Sequence, residues 1–239
     1  MKRFWETVAI DPSNAGYAIL LDGKPMHLPG GALLRVEGES LARAIAEEWQ
    51  EVGGGKGGDM SFADTPLTCL AGTAQQRIAP DPMPTVDAIA RYAESDLLCY
   101  RADTPEELVA RQAREWQPWL DWVALTYDAP LRIARGVGYV KQYRDSVSAL
   151  RRAVAGLDVA ALAALGVAVP ALGSLVLGLA LAEGRLDAAA AHSLGALDEL
   201  YQAQAWGEDA AAAARRRAIA ADIAHATRFL QLTRPEASA

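Results

Sequence analysis

The chain has 239 residues, 51 % of them hydrophobic and 22 % charged, which gives room for one or two domains and excludes disorder throughout. Its formal net charge of −7 excludes nucleic acid and anionic membrane surfaces as default partners, because like charges repel unless a local basic patch prevails. Two isolated cysteines, Cys69 and Cys99, have neither a CxxC spacing nor a His at ligand spacing, so a disulfide framework and a zinc site are not signalled. The opening MKRFWETVAI lacks the apolar run of a secretory leader, and Glu6 and Asp11 do not suit a transit peptide. The protein is expected to work where it is made, in a reducing compartment.

FWETVAI (4–10) alternates as a strand does, and Asp22-Gly23 stands between two extended runs as the turn of a tight hairpin. ALLRV (32–36) is a further strand. ESLARAIAEEWQEV turns helical, with Leu41, Ile45, Trp49 and Val52 on one stripe that should lie on the sheet. GGGKGG (53–58) ends that helix. It matches GxGxxG in letters, but a phosphate-binding loop needs a strand before it and a helix after it, and here the order is reversed. Thr65 and Pro66 open the next helix, and Pro80, Pro82 and Pro84 mark a boundary between a β-rich domain (1–82) and an all-α domain (83–239).

In the second domain Thr104-Pro105-Glu106-Glu107 has the form of a capping box, and Pro118 should kink or split the helix that follows. Further helices are predicted near 144–155, 159–169, 171–183, 187–206 and 208–231. Residues 159–182 carry no charge and are long enough to span a bilayer, but Pro170 divides a run rich in Ala and Gly, so two buried helices are expected, without stable membrane insertion.

No catalytic constellation emerges. His27, His192 and His225 lack metal-type neighbours, and no serine sits in a nucleophile elbow. Adjacent acids such as Glu47-Glu48, Asp198-Glu199 and Glu208-Asp209 diverge on a helix and cannot face one scissile bond. Arg215 to Arg217 fan apart for the same reason and read as a solvated face. In LDELYQAQAWGED (197–209) Leu194, Leu197 and Tyr201 form an inward stripe, with Trp206 to anchor the helix end and Gly207 to stop it. Glu208 and Asp209 then fall in the first turn of the next helix. Trp49, Trp116, Trp119 and Trp122 are core or contact aromatics.

Taken in order, RFWETV (3–8), LDGKPM (21–26), AEEW (46–49), TPLTCLAGTA (65–74), DLLCYR (96–101), REWQPWLDW (114–122), GSLVLGLAL (173–181) and LDELYQAQAWGED resemble a known family. It is that of the assembly chaperones of the F-type ATP synthase that hold its α subunit. Two departures stand out: Gly72 where relatives often carry Asn, and Leu200 where some carry a third acid. The resemblance implies an α+β fold of two domains, a small β-containing two-layer N-terminal domain and a C-terminal orthogonal helical bundle. It further implies no enzymatic activity, no cofactor and no nucleotide, with the α subunit as partner until a β subunit replaces it, and no nucleic acid. A critical acid is implied among Asp198 and Glu199, and sensitivity at Trp49. Tyr201, Gln202, Trp206 and Trp116 complete the expected partner-binding set. Beginning at the family's first motif, the chain is expected to be a bacterial, cytoplasmic member, relatives in organelles working in the mitochondrial matrix. A hydrolase using Asp198, Glu199 or Glu208 is the alternative from a different class, and a membrane-anchored scaffold resting on 159–182 is a third.

Overall fold

Strand pairing begins at Val8 in the computed structural model, which describes residues 1–13 and 16–234. β1 (Val8–Ser13) runs antiparallel to β2 (Gly16–Leu21), with Val8 opposite Leu21. The expected hairpin at Asp22 and Gly23 is present: φ is 47° and 77° there, and β3 (Lys24–Pro25) returns along β2 with Lys24 opposite Leu21. Positive φ at both central residues gives the turn whose twist matches paired strands. Asp22 Oδ1 accepts from the N–H groups of Glu6 and Thr7 and from Thr7 Oγ1, and the backbone bonds hold its carboxyl below the usual range. β4 (Arg35–Val36) pairs with the other end of β2, Tyr17 opposite Val36, and is shorter than the strand predicted over 32–36.

α1 (Glu39–Glu51) buries Leu41, Ile45 and Trp49, the predicted stripe, and packs on β1 and β2. The strand expected over 4–10 starts late because the preceding residues are bound to the end of this helix. Arg3, 3 % exposed, donates to Gln50 O, Val52 O, Trp5 O and Glu6 O, and Trp5 Nε1 donates to Trp49 O at 3.0 Å. A guanidinium placed on the last carbonyls of a helix satisfies acceptors that have no intrahelical partner and suits the dipole. α2 (Pro66–Thr73) follows, continued by a π-helical turn over Ala74–Ile78. Thr65 holds its cap position, but its side chain makes no cap bond; the carboxylate of Glu48 accepts from Leu67 N and Thr68 N instead.

The chain groups into two compact units, Met1–Pro82 together with the segment from Arg228 onward, and Met83–Thr227. The end of the last helix thus groups with the N-terminal unit and not with the helical one. Within that N-terminal unit Arg228 lies 4.0 Å from Glu47.

The second unit holds α3 (Met83–Ala90), β5 (Tyr100–Arg101), α4 (Glu106–Tyr127), β6 (Ala134–Arg135), α5 (Arg144–Ala155), α6 (Val159–Leu172), α7 (Leu175–Ala182), α8 (Ala188–Gly195), α9 (Leu197–Trp206) and most of α10 (Ala210–Thr233). β5 and β6 form a two-stranded parallel sheet. The capping box at Thr104 is not formed: Pro105 holds the cap position, one residue later, and no side chain caps α4. Pro118 does not split α4, and Pro170 does not end α6. Both prolines are exposed, as are Arg114 and Gly166, whose carbonyls lose their helical donors. A carbonyl left free on the solvent side is hydrated, so the helix runs on. The uncharged run breaks instead at Gly173, with φ 65°.

Among the described residues no helix is long and apolar enough to cross a membrane. α7 is buried from Leu175 through Leu181 and sits so close to α6 that a Cβ at Gly178 would come within 2.4 Å of Val169 Cγ2. Its N-terminus is capped by Ser174 and by Asp96, which is fully buried. Asp96 accepts from Ser174 Oγ, Val176 N and Leu98 N at 2.8–3.1 Å. Burial pushes its carboxyl up to about 6 from 3.8, against those hydrogen bonds. An acid whose folded pKa is raised stabilises the fold fully below about pH 4 and loses that contribution as pH rises through about 6, on the order of 3 kcal/mol at most. Relative to Asp96→Asn, the wild-type protein should therefore gain thermal stability as pH is lowered from 7 to 4. A melting-temperature gap that stays constant across that range would show that Asp96 does not titrate this way.

Candidate functional site

α9 is joined to α8 through the single residue Ala196, so the helix predicted over 187–206 is two helices meeting at a corner. Leu197 is the one α9 residue that is fully buried. With so little apolar area to hold it, α9 and the end of α8 that leads into it are fixed to α4 by polar bonds. Trp116 Nε1 donates to Leu194 O at 3.0 Å, Gln112 Nε2 to Asp198 Oδ1 at 2.7 Å and Arg111 Nη1 to Gln204 Oε1 at 3.2 Å.

Gln112 is 1 % exposed and fully used: its side-chain oxygen accepts from Ala102 N, and its backbone carbonyl accepts from Arg101 Nη1. Arg101 lies 5.3 Å over the Trp116 ring, donates to Leu98 O, and keeps Nη2 buried without a hydrogen bond. Burial lowers the pKa of its guanidinium, and the nearby Asp198 carboxylate works the other way. Asp198 is thus a half-buried carboxylate held at one oxygen by an amide and supported by a buried cation.

Glu199, one residue on, faces α10. Its Oε1 accepts from Arg215 at 3.3 Å; its Oε2 is shielded from water and makes no hydrogen bond, with Arg216 Nη1 3.7 Å away. Arg216 also pairs with Glu208 at 2.5 Å. The arginine triplet does fan apart, Arg215 and Arg217 outward, but Arg216 is 7 % exposed and is not part of a solvated face. Asp209 does not lie in the first turn of α10; it is the residue before it, and its Oδ2 accepts from Ala212 N at 2.7 Å, as a cap does. Gly207 stops α9 as predicted, with φ 94° and ψ 160°, a region open essentially to glycine alone.

The expected partner-binding residues separate into two groups. Asp198, Glu199, Tyr201, Gln202 and Trp206 share α9, where Asp198 and Gln202 are one turn apart and Glu199 and Trp206 two turns apart, so each pair lies on one face. Trp206 does not anchor the helix end, as the sequence pattern implied: it is 79 % exposed, because the chain turns away at Gly207 before any element covers the ring. Trp116 is 0 % exposed and offers no surface to a partner; it belongs to the core and is bound to Leu194 of α8. Trp49 is 4 % exposed in the N-terminal unit, its ring 4.8 Å from that of Trp5 and its Nε1 donating to Thr68 Oγ1. Gln112 lies in no motif, and although Arg101 ends DLLCYR and Arg216 sits in the arginine triplet, nothing in those patterns links them to the two acids; only the structure does.

These carboxylates are not arranged for hydrolysis. Asp198 is engaged by Gln112, while Glu199 and Glu208 share Arg216, and among the described residues no cluster of three His, Cys, Asp or Glu could hold a metal ion. A cavity of about 190 Å³ in the N-terminal unit is lined by Leu28, Phe62, Cys69 and Gly72 among others. Burial, with Glu48 nearby, raises the Cys69 thiol, which keeps it from acting as a thiolate. Gly72 borders this cavity, and a Cβ there would come within 3.0 Å of Leu28 Cδ2.

The α+β fold displays acids and an exposed tryptophan on one pinned helix, a composition suited to binding another polypeptide. The profile described as ATP12 chaperone protein matches residues 2–124. The crystal structure of Atp12 from Paracoccus denitrificans is similar at a TM-score of 0.90 and 43 % identity, covering 98 % of each chain. That of an aspartate-to-lysine mutant of the same protein gives 0.90 at 42 % identity. The mitochondrial protein atp12 of Schizosaccharomyces pombe is 26 % identical over 219 residues, 87 % of this chain and 75 % of that one. The chain belongs to the ATP12 chaperone family, which supports a general role as a non-enzymatic chaperone in ATP synthase assembly.

Proposed function

We propose that the protein holds the unassembled α subunit of the F-type ATP synthase until a β subunit replaces it, and that α9 carries the decisive contact. The observation behind this is the display on α9: Glu199 keeps 42 % of its side-chain surface in water, on the same helix face as the exposed Trp206. An aromatic anchor beside a charged group that fixes register is the composition of an interface core, and a few such residues carry most of the binding energy. A temporary cover must also be displaceable, which favours a small polar contact over a wide apolar one. One similar protein is from a bacterium and another is mitochondrial, which supports a reading in which the work is done in the bacterial cytoplasm or the mitochondrial matrix.

Native co-expression with the α subunit tests the reading. Wild-type protein should co-purify with it, and Glu199→Lys should lower capture by about tenfold, an interfacial charge reversal being worth at least 1.4 kcal/mol. Glu199→Gln controls for the lost pairing with Arg215 and Arg216. Capture unchanged by both Glu199→Lys and Asp198→Lys would remove α9 as the contact, and no capture of abundant free α subunit by the wild type would end the proposal.

A further inference from the structure

Between α4 and α5 the chain forms a second displayed surface, outside α9. From Ala129 to Arg144 there is no acidic residue, while Arg132, Arg135, Lys141 and Arg144 are all exposed, in a chain whose net charge is −7. The tip between them is apolar: Val137 is fully exposed and Tyr139 is 72 % exposed, with Ile133 and Tyr143 exposed on either side. Apolar side chains raised on a cationic loop cost the folded monomer solvation, so their display calls for an occupant.

The loop is built to hold that tip out. Gln142, 6 % exposed, closes its base with a pair of bonds to one residue, accepting from Arg132 N at 2.7 Å and donating to Arg132 O at 2.9 Å. Ser146 Oγ donates to Pro130 O just outside, and Gly136 N donates to Arg101 O, extending the parallel pairing of β6 with β5. The guanidinium of Arg132 lies 5.5 Å over the Tyr143 ring. The exposed acids Asp128 and Asp145 flank this stretch at its two ends, and the carboxylate of Asp103 lies against Gly136, so the tip itself carries cations only.

We propose that this loop docks an acidic stretch of polypeptide on the client α subunit, with the arginines pairing to its carboxylates and Val137 and Tyr139 covering its apolar side chains. Arginine in preference to lysine favours carboxylate forks, and the combination of charge with an aromatic favours protein over bare phosphate. The inference rests on the chaperone reading above for the identity of the client, but concerns a different surface of the same unit.

The test compares α-subunit capture by the full-length protein with that of Arg135→Glu/Lys141→Glu and of Val137→Ser/Tyr139→Ser, at low and at high salt, each variant first shown to melt as the wild type does. Charge reversal should weaken capture by about tenfold at low salt and flatten its salt dependence, and the apolar pair should weaken it at both salts. Wild-type capture by both variants, with Glu199→Lys still impaired, overturns the loop proposal and leaves α9 standing. Failure of the wild type to capture the α subunit overturns both. Binding to phosphatidylglycerol vesicles, or self-association in sedimentation, that is present in the wild type and lost in the charge-reversed variant assigns the loop to lipid or to a second copy and overturns it as well.

Discussion

Trp116→Ala is expected to lower the free energy of unfolding by about 3–5 kcal/mol, the range for truncating a large aromatic in a core. The side chain is fully buried, carries Arg101 on its face, and through Nε1 binds Leu194 O, at the corner where α8 becomes α9. Truncation therefore opens a cavity, frees a buried guanidinium that already has one unpartnered nitrogen, and leaves a carbonyl at the corner without its donor. Trp116→Phe separates these effects. It keeps most of the ring and loses the bond to Leu194 O, for about 1–2 kcal/mol. Urea unfolding of the three proteins measures the ladder. At a temperature where Trp116→Phe is fully folded its capture of the α subunit should equal the wild type's; a loss there would mean that the ring meets the client after all.

Trp116 also illustrates what the sequence could and could not disclose. The spacing of REWQPWLDW shows that tryptophans recur along a helix, but the direction in which each points depends on what packs against that helix, which is a tertiary fact. Trp116 is fully buried and bound to Leu194 at the end of α8, whereas Trp206 in LDELYQAQAW lies at a helix end that nothing covers. Local rules succeeded where the governing interaction is local: Asp22-Gly23 made its turn, Leu41, Ile45 and Trp49 found the sheet, and Gly207 ended α9. They failed where a distant group or the solvent decides. Pro170 reads as a break until its exposure is known, and the Thr104 box is void because α4 starts one residue later. The acids at Asp198 and Glu199 were legible as unusual. Their supports, Gln112 across 86 residues and Arg216 from a triplet that looks like a plain basic face, were not.

Arg216→Met is expected to destabilise the protein by about 1–2 kcal/mol, because it removes a buried guanidinium from two part-exposed carboxylates. The upper part of the usual range is discounted, since Glu199 and Glu208 keep 42 % and 62 % of their side-chain surface in water while Arg216 keeps 9 %. Methionine fills the volume of the arginine stem, so the loss measured by thermal or urea unfolding reports charge more than packing. If Glu199 is one of the groups left unpaired, Arg216→Met combined with Glu199→Gln should recover part of that loss relative to additivity. The consequence for capture runs the opposite way. With Arg216 gone, the oxygen of Glu199 that now faces it loses its nearest cation, and no internal guanidinium competes there with a basic group on the client. Arg216→Met should then hold the α subunit at least as well as the wild type while being less stable, the reverse of Glu199→Lys, which loses capture with a smaller change in stability. Capture falling in step with stability, at a temperature where Arg216→Met is fully folded, would instead make Glu199 a strut for α10 and leave the client contact to Asp198 and Trp206.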